Sequence, residues 1–262
     1  MIESDDYPNR NSEYVRRYVE IRIIENKLKG ARFVFKQKIA YIIEKRLNAK
    51  KMANNKKMYD QVMKSVDKMI TELSSHDEFN SSCRPLILEY IINTLLDYIC
   101  AESIFKPLCN LNSFPIPFFS NFYNENGNTL SFSDSSKKVN VNLSSTKIYL
   151  HPWNNDRTSE SLVNISENDF VYNKNNHFAI YYPYINLCYV TCGNHSINAG
   201  RYFRKGSIVA DEFNLTACFP HIKTDGCYWF NAHTNEPLIP VDDYRFAAIF
   251  TIAKMKYELN DH

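Results

Sequence analysis

The segment Ile185–Gly206 constrains the fold more than any other stretch, because it predicts a buried strand that turns directly into a helix. It begins with apolar and β-favouring residues and continues after Gly193 with helical spacing. Ile197, Gly200 and Phe203 share one face of that helix. Gly193 permits a sharp exit from the strand, since glycine adopts backbone conformations that other residues avoid.

The start of this predicted helix suits an anion. The first N–H groups of a helix have no acceptor within the helix and lie at the positive end of its dipole. Arg201 and Arg204 follow with a spacing that forms a basic ridge. The functional interpretation is a phosphate-binding corner. The alternative is an ordinary strand-to-helix turn whose cations face water.

The first 110 residues predict an α-helical domain. Helical periodicity recurs in four stretches, which are Tyr14–Leu28, Phe35–Leu47, Val62–Leu73 and Leu86–Phe105. The basic stretch KRLNAKKMANNKK separates the second helix from the third and is interpreted as a solvated helix end, with nucleic acid or lipid head groups as the alternative. Leu86–Phe105 is predicted as a core helix, because its polar residues exclude a bilayer span.

The remaining chain divides at residue 145. Residues 111–145 predict an irregular connecting segment rich in Pro, Asn, Ser and Phe, with too many aromatic side chains for a solvated linker. Residues 146–262 predict a small mixed α/β domain of short strands that ends in a helix from about Val241. The predicted fold class is therefore α+β.

Composition bounds the function loosely. A formal net charge of +2 does not by itself indicate nucleic acid, and seven cysteines without a secretory segment at the start predict a reducing, cytoplasmic location. Abundant Asn, Lys, Ile and Tyr suggest a low-GC bacterium or a mobile element.

Residues 146–206 carry a resemblance to a known fold. The stretch TKIYLHPWNNDR, a variable stretch, a strand and then GNHSINAG together resemble the ParB/sulfiredoxin-like fold over about residues 146–262. In that family the glycine-led turn holds a nucleotide. The resemblance implies that Gly193 is the turn glycine, that His195 reads phosphate or base, and that Arg157 is the arginine before the variable stretch. Asn194 stands where sulfiredoxins have a catalytic cysteine, and Ser196 where many relatives have arginine.

These observations predict a protein that binds a nucleotide or a nucleic-acid phosphate, with NTPase or nuclease activity in phage defence or another mobile-element system. The expected cofactors are Mg and ATP or another NTP. The predicted catalytic residues are His195 and Asn194, and the predicted phosphate-binding residues are Gly193, Ser196, Arg157, Arg201 and Arg204.

The alternative is a non-enzymatic interaction or oligomerisation protein, in which the GNHS turn is structural and the helical half contacts a protein partner or a second copy. No membrane partner is expected. No residue is assigned to a metal site, because Cys188 and Cys192 lie in an apolar strand and their spacing does not suit a zinc knuckle. Four histidines are interpreted as structural or surface residues: His151, His177, His221 and His233. A magnesium ligand is left open among five carboxylates, Asp211, Glu212, Asp225, Asp242 and Asp243.

Overall fold

A computed structural model describes residues 49–74, 83–111, 113–118, 121–131 and 137–260. Within these ranges the helices are α1 (Ala49–Ser74), α2 (Cys83–Leu108), α3 (Asn155–Glu167), α4 (Asn194–Tyr202) and α5 (Tyr244–Asn260). The strands are β1 (Asn121–Tyr123), β2 (Thr129–Ser131), β3 (Lys138–Asn142), β4 (Lys147–Tyr149), β5 (Phe178–Tyr182), β6 (Leu187–Cys192), β7 (Ser207–Glu212), β8 (Ile222–Thr224), β9 (Tyr228–Asn231) and β10 (Pro237–Pro240). The chain combines helices and sheets, which confirms the coarse α+β class.

The described residues form two compact units. Of the described residues, unit 1 contains those within 96–114 and 137–215, whereas unit 2 contains those within 49–95, 115–131 and 216–260. The predicted boundaries at residues 110 and 145 do not separate these units. The reason is that α5 and the strands beyond residue 215 group with α1, and such long-range grouping leaves no local signal in the sequence.

Unit 1 is built on a five-stranded mixed sheet of order β3-β7-β5-β6-β4. Strand β6 lies inside the sheet, antiparallel to β5 and parallel to β4. Its register sets Tyr149 of β4 opposite Tyr189. Leu187, Cys188 and Val190 are fully buried, as expected of an interior strand. The sheet therefore holds the end of β6, and with it the start of α4, in a fixed place.

Unit 2 has an aromatic core. The three-stranded antiparallel sheet has the order β10-β9-β8, and β1 pairs separately with β2. Trp229 of β9 and Phe118 both lie against Phe250 of α5, with ring centroids 5.2 Å and 6.3 Å away. On α1, the Tyr59 hydroxyl is 3.0 Å from Thr251 Oγ1 of α5. These contacts give α5 a mostly buried surface.

Several local predictions need correction. Strand β3 and the β1–β2 pair lie in the segment predicted as irregular. The part of the basic stretch that the structure describes, residues 49–57, is helical and belongs to α1, so it does not separate two helices there. Leu88, Ile92 and Leu96 bury one face of α2, whereas Leu86 and Tyr90 are exposed, so α2 is only partly a core helix. The helices predicted over Tyr14–Leu28 and Phe35–Leu47 lie outside the described residues. Among the described helices, none combines the length and hydrophobicity needed to cross a bilayer.

Candidate functional site

The predicted strand-to-helix turn is present at the end of β6. Gly193 caps α4 with a left-handed φ of 80°, and the Ile197 N–H donates to its carbonyl at 3.0 Å. A Cβ at Gly193 would lie 2.4 Å from Cδ2 of His177 and 3.0 Å from the Asn176 carbonyl oxygen. Glycine is therefore required here both for its backbone conformation and for space.

A small cavity of about 100 Å³ lies at this turn. Its floor is the end of β6 and the first residues of α4, including Gly193, Asn194 and His195. Aromatic side chains form much of the remaining wall, namely Phe114, His151, Trp153 and Tyr189. Phe114 stacks on the His151 ring with centroids 5.0 Å apart. The cavity thus combines a helix N-terminus with flat apolar surfaces.

Asn194 and His195 hold the loop that follows β4. Asn194 Oδ1 accepts the His151 N–H at 2.8 Å, and His195 Nε2 accepts the Asn154 N–H at 3.1 Å. His195 is buried and packs edge-on against the Trp153 ring at 5.4 Å. The stretches HPWNNDR and GNHS are therefore in direct contact, which the sequence resemblance implies but local patterns do not show.

Asn154 continues this connection into α3. Its side chain accepts the Arg157 N–H at 3.0 Å and so caps the helix. The Arg157 guanidinium carbon then lies 5.8 Å from the Trp153 ring centroid. Trp153 lines the cavity, so Arg157 lies near the turn. Of the three arginines predicted to bind phosphate, it is the one that the fold brings there.

Ser196 is engaged on the other side of α4. The Asn173 N–H donates to His177 Nδ1 at 3.1 Å, so the neutral His177 ring carries its proton on Nε2. That nitrogen lies 2.9 Å from Ser196 Oγ, and Ser196 Oγ in turn donates to the Gly193 carbonyl at 3.2 Å. His177 is a donor to Ser196 and not its base, so this pair supports the turn and does not form a nucleophile.

Arg201 and Arg204 lie far from the turn. Arg201 comes seven residues after Asn194, which is about 10 Å along a helix axis at 1.5 Å per residue. Arg201 donates from Nη2 to Asn198 Oδ1 at 3.4 Å, and burial lowers its pKa. Arg204 follows the helix, is exposed and has a left-handed φ of 55°. The structure therefore does not bring these two arginines to the cavity.

His151 is a candidate that local sequence patterns missed. Its Nδ1 atom is buried and has no hydrogen-bond partner among the described residues. Burial lowers the pKa of His151, partly opposed by a hydrogen bond to the Ser103 backbone. A buried imidazole nitrogen without a hydrogen-bond partner is uncommon in folded proteins.

The structure also describes the cysteine and carboxylate side chains that were considered as metal ligands. Cys188 is buried, and burial raises its thiol pKa to about 12, which suits a small apolar residue. Each of the five candidate magnesium carboxylates has a protein partner: Asp211 pairs with Lys138, Glu212 with Lys137, Asp242 with Lys51 and Asp243 with Arg245, while Asp225 accepts the Cys227 and Tyr228 N–H groups. The group of metal-ligand side chains that does converge among the described residues is Glu125, His221 and His233.

Residues 43–262 match the model of DUF6710, a family of unknown function. The chain belongs to this family. No curated protein and no solved structure matched it. The ParB/sulfiredoxin-like resemblance therefore stays a prediction, and the DUF6710 match assigns no activity to the turn at Gly193.

Proposed function

We propose that this DUF6710 protein binds the phosphate group of a nucleotide or nucleic acid in the cavity at the start of α4. The observation that carries the proposal is the aromatic cavity whose floor is a helix N-terminus. A helix N-terminus favours an anion, and Arg157 supplies a nearby cation. The aromatic walls suit a base or ribose that lies against them.

The size of the cavity limits the ligand. Pockets that enclose drug-sized molecules have volumes of about 300–1,000 Å³, whereas this one is about 100 Å³. One phosphate group or one ring fits, and the rest of a nucleotide or a nucleic-acid strand would lie outside.

The geometry favours binding over hydrolysis. His195 Nε2 already accepts a backbone N–H, so that nitrogen is not available to take a proton from water or to donate one to a leaving group. Asn194 Oδ1 is occupied in the same way. The roles of His195 and Asn194 in magnesium-assisted NTP or nucleic-acid hydrolysis stay predictions, as does a role in phage defence.

Thermal unfolding with ATP, GTP or a short oligonucleotide, each with magnesium, tests the proposal. At a ligand concentration of about 100 times Kd, binding stabilises the folded state by about 2.7 kcal/mol, which corresponds to a rise in Tm of roughly 5–10 °C. Arg157→Gln should reduce this rise, and the matched variant Arg204→Gln should keep it, because Arg204 is exposed beyond the far end of α4. If no probe raises Tm, or if both variants behave as the wild type, the proposal fails.

A second function is favoured by a different observation. The larger cavity, of about 280 Å³, lies in unit 2 between α1 and α2 and is lined mainly by apolar side chains, including Val62, Val66, Met69 and Ile91. Together with the internally bonded Asn194 and His195, it supports a non-enzymatic protein that associates with a second copy. Light scattering after size exclusion should then show a dimer that Met69→Glu converts to a monomer. A monomeric wild type would remove this candidate.

A further inference from the structure

Three side chains of metal-ligand type converge in unit 2. Glu125 lies in the turn between β1 and β2, His221 directly precedes β8, and His233 lies in the turn after β9. Their ligand atoms all lie within 4.8 Å of one another. His221 Nδ1 and His233 Nε2 are 3.0 Å apart, and Glu125 Oε2 is 3.9 Å from His221 Nδ1. Residues nearly 100 positions apart in the sequence therefore meet at one point.

The spacing of the two imidazole nitrogens suits a shared ion. Zn–N bonds are about 2.0–2.1 Å long, so two nitrogen ligands lie about 2.9 Å apart at a 90° angle and about 3.3 Å apart at the tetrahedral angle. The observed 3.0 Å falls within this range. The Glu125 oxygen has to approach by about 0.6 Å to reach the tetrahedral spacing. Its side chain is 60% exposed and can rotate to do so.

The two histidine backbones are held in place. Asn231, which is buried, accepts the His233 and Thr234 N–H groups on its Oδ1 atom at 2.8 Å and 3.3 Å. The Ala232 N–H donates to the His221 carbonyl at 2.8 Å. These hydrogen bonds fix the separation of the two histidines before any ion binds, which lowers the ordering cost of binding.

The turn that carries Glu125 is also ordered by its neighbours. Asn124 Oδ1 accepts the Asn126 and Asn128 N–H groups, each at 3.0 Å. The Gly127 N–H donates to the Asn124 carbonyl at 3.0 Å. The backbone of the third ligand is therefore set, and its exposed side chain is the part that adjusts.

We infer that Glu125, His221 and His233 form a binding site for a divalent transition-metal ion such as Zn²⁺. Two imidazoles and one carboxylate suit Zn²⁺, Co²⁺, Ni²⁺ or Fe²⁺, whereas Mg²⁺ and Ca²⁺ prefer oxygen ligands alone. Three protein ligands leave at least one position open for water or an exogenous ligand.

The competing interpretation is a neutral hydrogen bond between the two histidines, with Glu125 uninvolved. In that case one imidazole donates and the other accepts, and no ion is needed. The two interpretations differ in what Glu125 does. A metal site requires its carboxylate, whereas a histidine pair keeps its geometry without it.

Isothermal titration of the chelator-treated full chain with Zn²⁺, and separately with Ni²⁺, tests the site. Loss of a residue that only supports a ligand weakens metal affinity by about 10- to 100-fold, so loss of a ligand in His233→Ala should weaken it by about 100-fold or more. Glu125→Gln should also weaken binding, and because this side chain is exposed its removal should leave the fold intact. Glu258→Gln, which replaces an exposed carboxylate of α5, is the matched control and should bind as the wild type does.

Cysteines elsewhere in the chain could also hold an ion. Binding that weakens in His233→Ala and Glu125→Gln but not in Glu258→Gln belongs to this site and not to those cysteines. Wild-type affinity and stoichiometry in both His233→Ala and Glu125→Gln would overturn the inference and leave the histidine pair as a hydrogen bond. Should His233→Ala fail to fold by circular dichroism, Glu125→Gln alone decides the question. Unchanged binding in a folded Glu125→Gln protein refutes a site in which its carboxylate is a ligand.

Discussion

Replacing Gly193 with alanine should destabilise unit 1 by about 2–5 kcal/mol. The first contribution is conformational, since a left-handed φ costs a residue with a side chain about 1–2 kcal/mol, and Gly193 has a φ of +80°. The second is steric, because the new Cβ would lie 2.4 Å from His177 Cδ2. Forcing an extra methyl group into a packed site costs about 1–3 kcal/mol.

The steric contribution depends on whether the His177 ring can move. Its Nδ1 accepts the Asn173 N–H at 3.1 Å, and its Nε2 lies 2.9 Å from Ser196 Oγ. The ring also stacks on Phe170 with centroids 5.3 Å apart. A shift that relieves the clash would break at least one of these contacts, so the ring is expected to resist.

Urea unfolding followed by circular dichroism measures the loss, and Gly127→Ala is the matched control. Gly127 has a φ of +75°, but nothing lies within 4 Å of its hypothetical Cβ. Its substitution should therefore cost only the conformational part, about 1–2 kcal/mol. Equal losses in the two variants would refute the claim that packing around His177 makes glycine necessary at the turn.

Two further predictions concern buried charge. Asp243→Ala should destabilise unit 2 by about 3–5 kcal/mol in urea unfolding, because it leaves the Arg245 guanidinium buried without its carboxylate partner. The exposed ion pair of Lys56 and Asp60 provides the control. Asp60→Ala should lower the free energy of unfolding by less than about 1 kcal/mol. Burial lowers the pKa of His177 from 6.5, so the unfolded chain takes up a proton at a higher pH than the folded one, and the stability of unit 1 should fall as the pH drops below 6.5. Replacing His177 with glutamine should reduce this dependence, with the remainder due to His151, whose pKa burial also lowers; an unchanged pH profile would contradict the assignment.

Local elements with a strong backbone signal were predicted well. As predicted, a strand ends at Cys192, directly before Gly193, and a helix begins at Asn194, directly after it. Helix α3 was not predicted, because it has few apolar residues to give a helical pattern. Its start also depends on the side chain of Asn154 as a cap. In strand β3, valine alternates with Lys and Asn over only five residues. This pattern is too weak to predict a strand, which is evident only from its pairing with β7.

The candidate site was predicted less completely than the fold. Sequence patterns singled out Gly193 and its neighbours, and they also assigned Arg201 and Arg204 to phosphate. The structure places those two arginines beyond reach, since spacing along a helix does not say which end of it faces a cavity. His151 lies in the stretch TKIYLHPWNNDR but was interpreted as a structural or surface residue, because its surroundings are known only once Phe114 and the Ser103 backbone are placed around it.

The sequence by itself determined the turn at Gly193. A glycine between an apolar strand pattern and a helical pattern indicates a local backbone conformation, which does not depend on distant parts of the chain. Tertiary structure decided which side chains surround that turn, and it also brought Glu125 to His221 and His233. The physical reason is that both groupings depend on hydrogen bonds and packing between segments far apart in the chain. Such long-range contacts leave no periodic signal in any one segment.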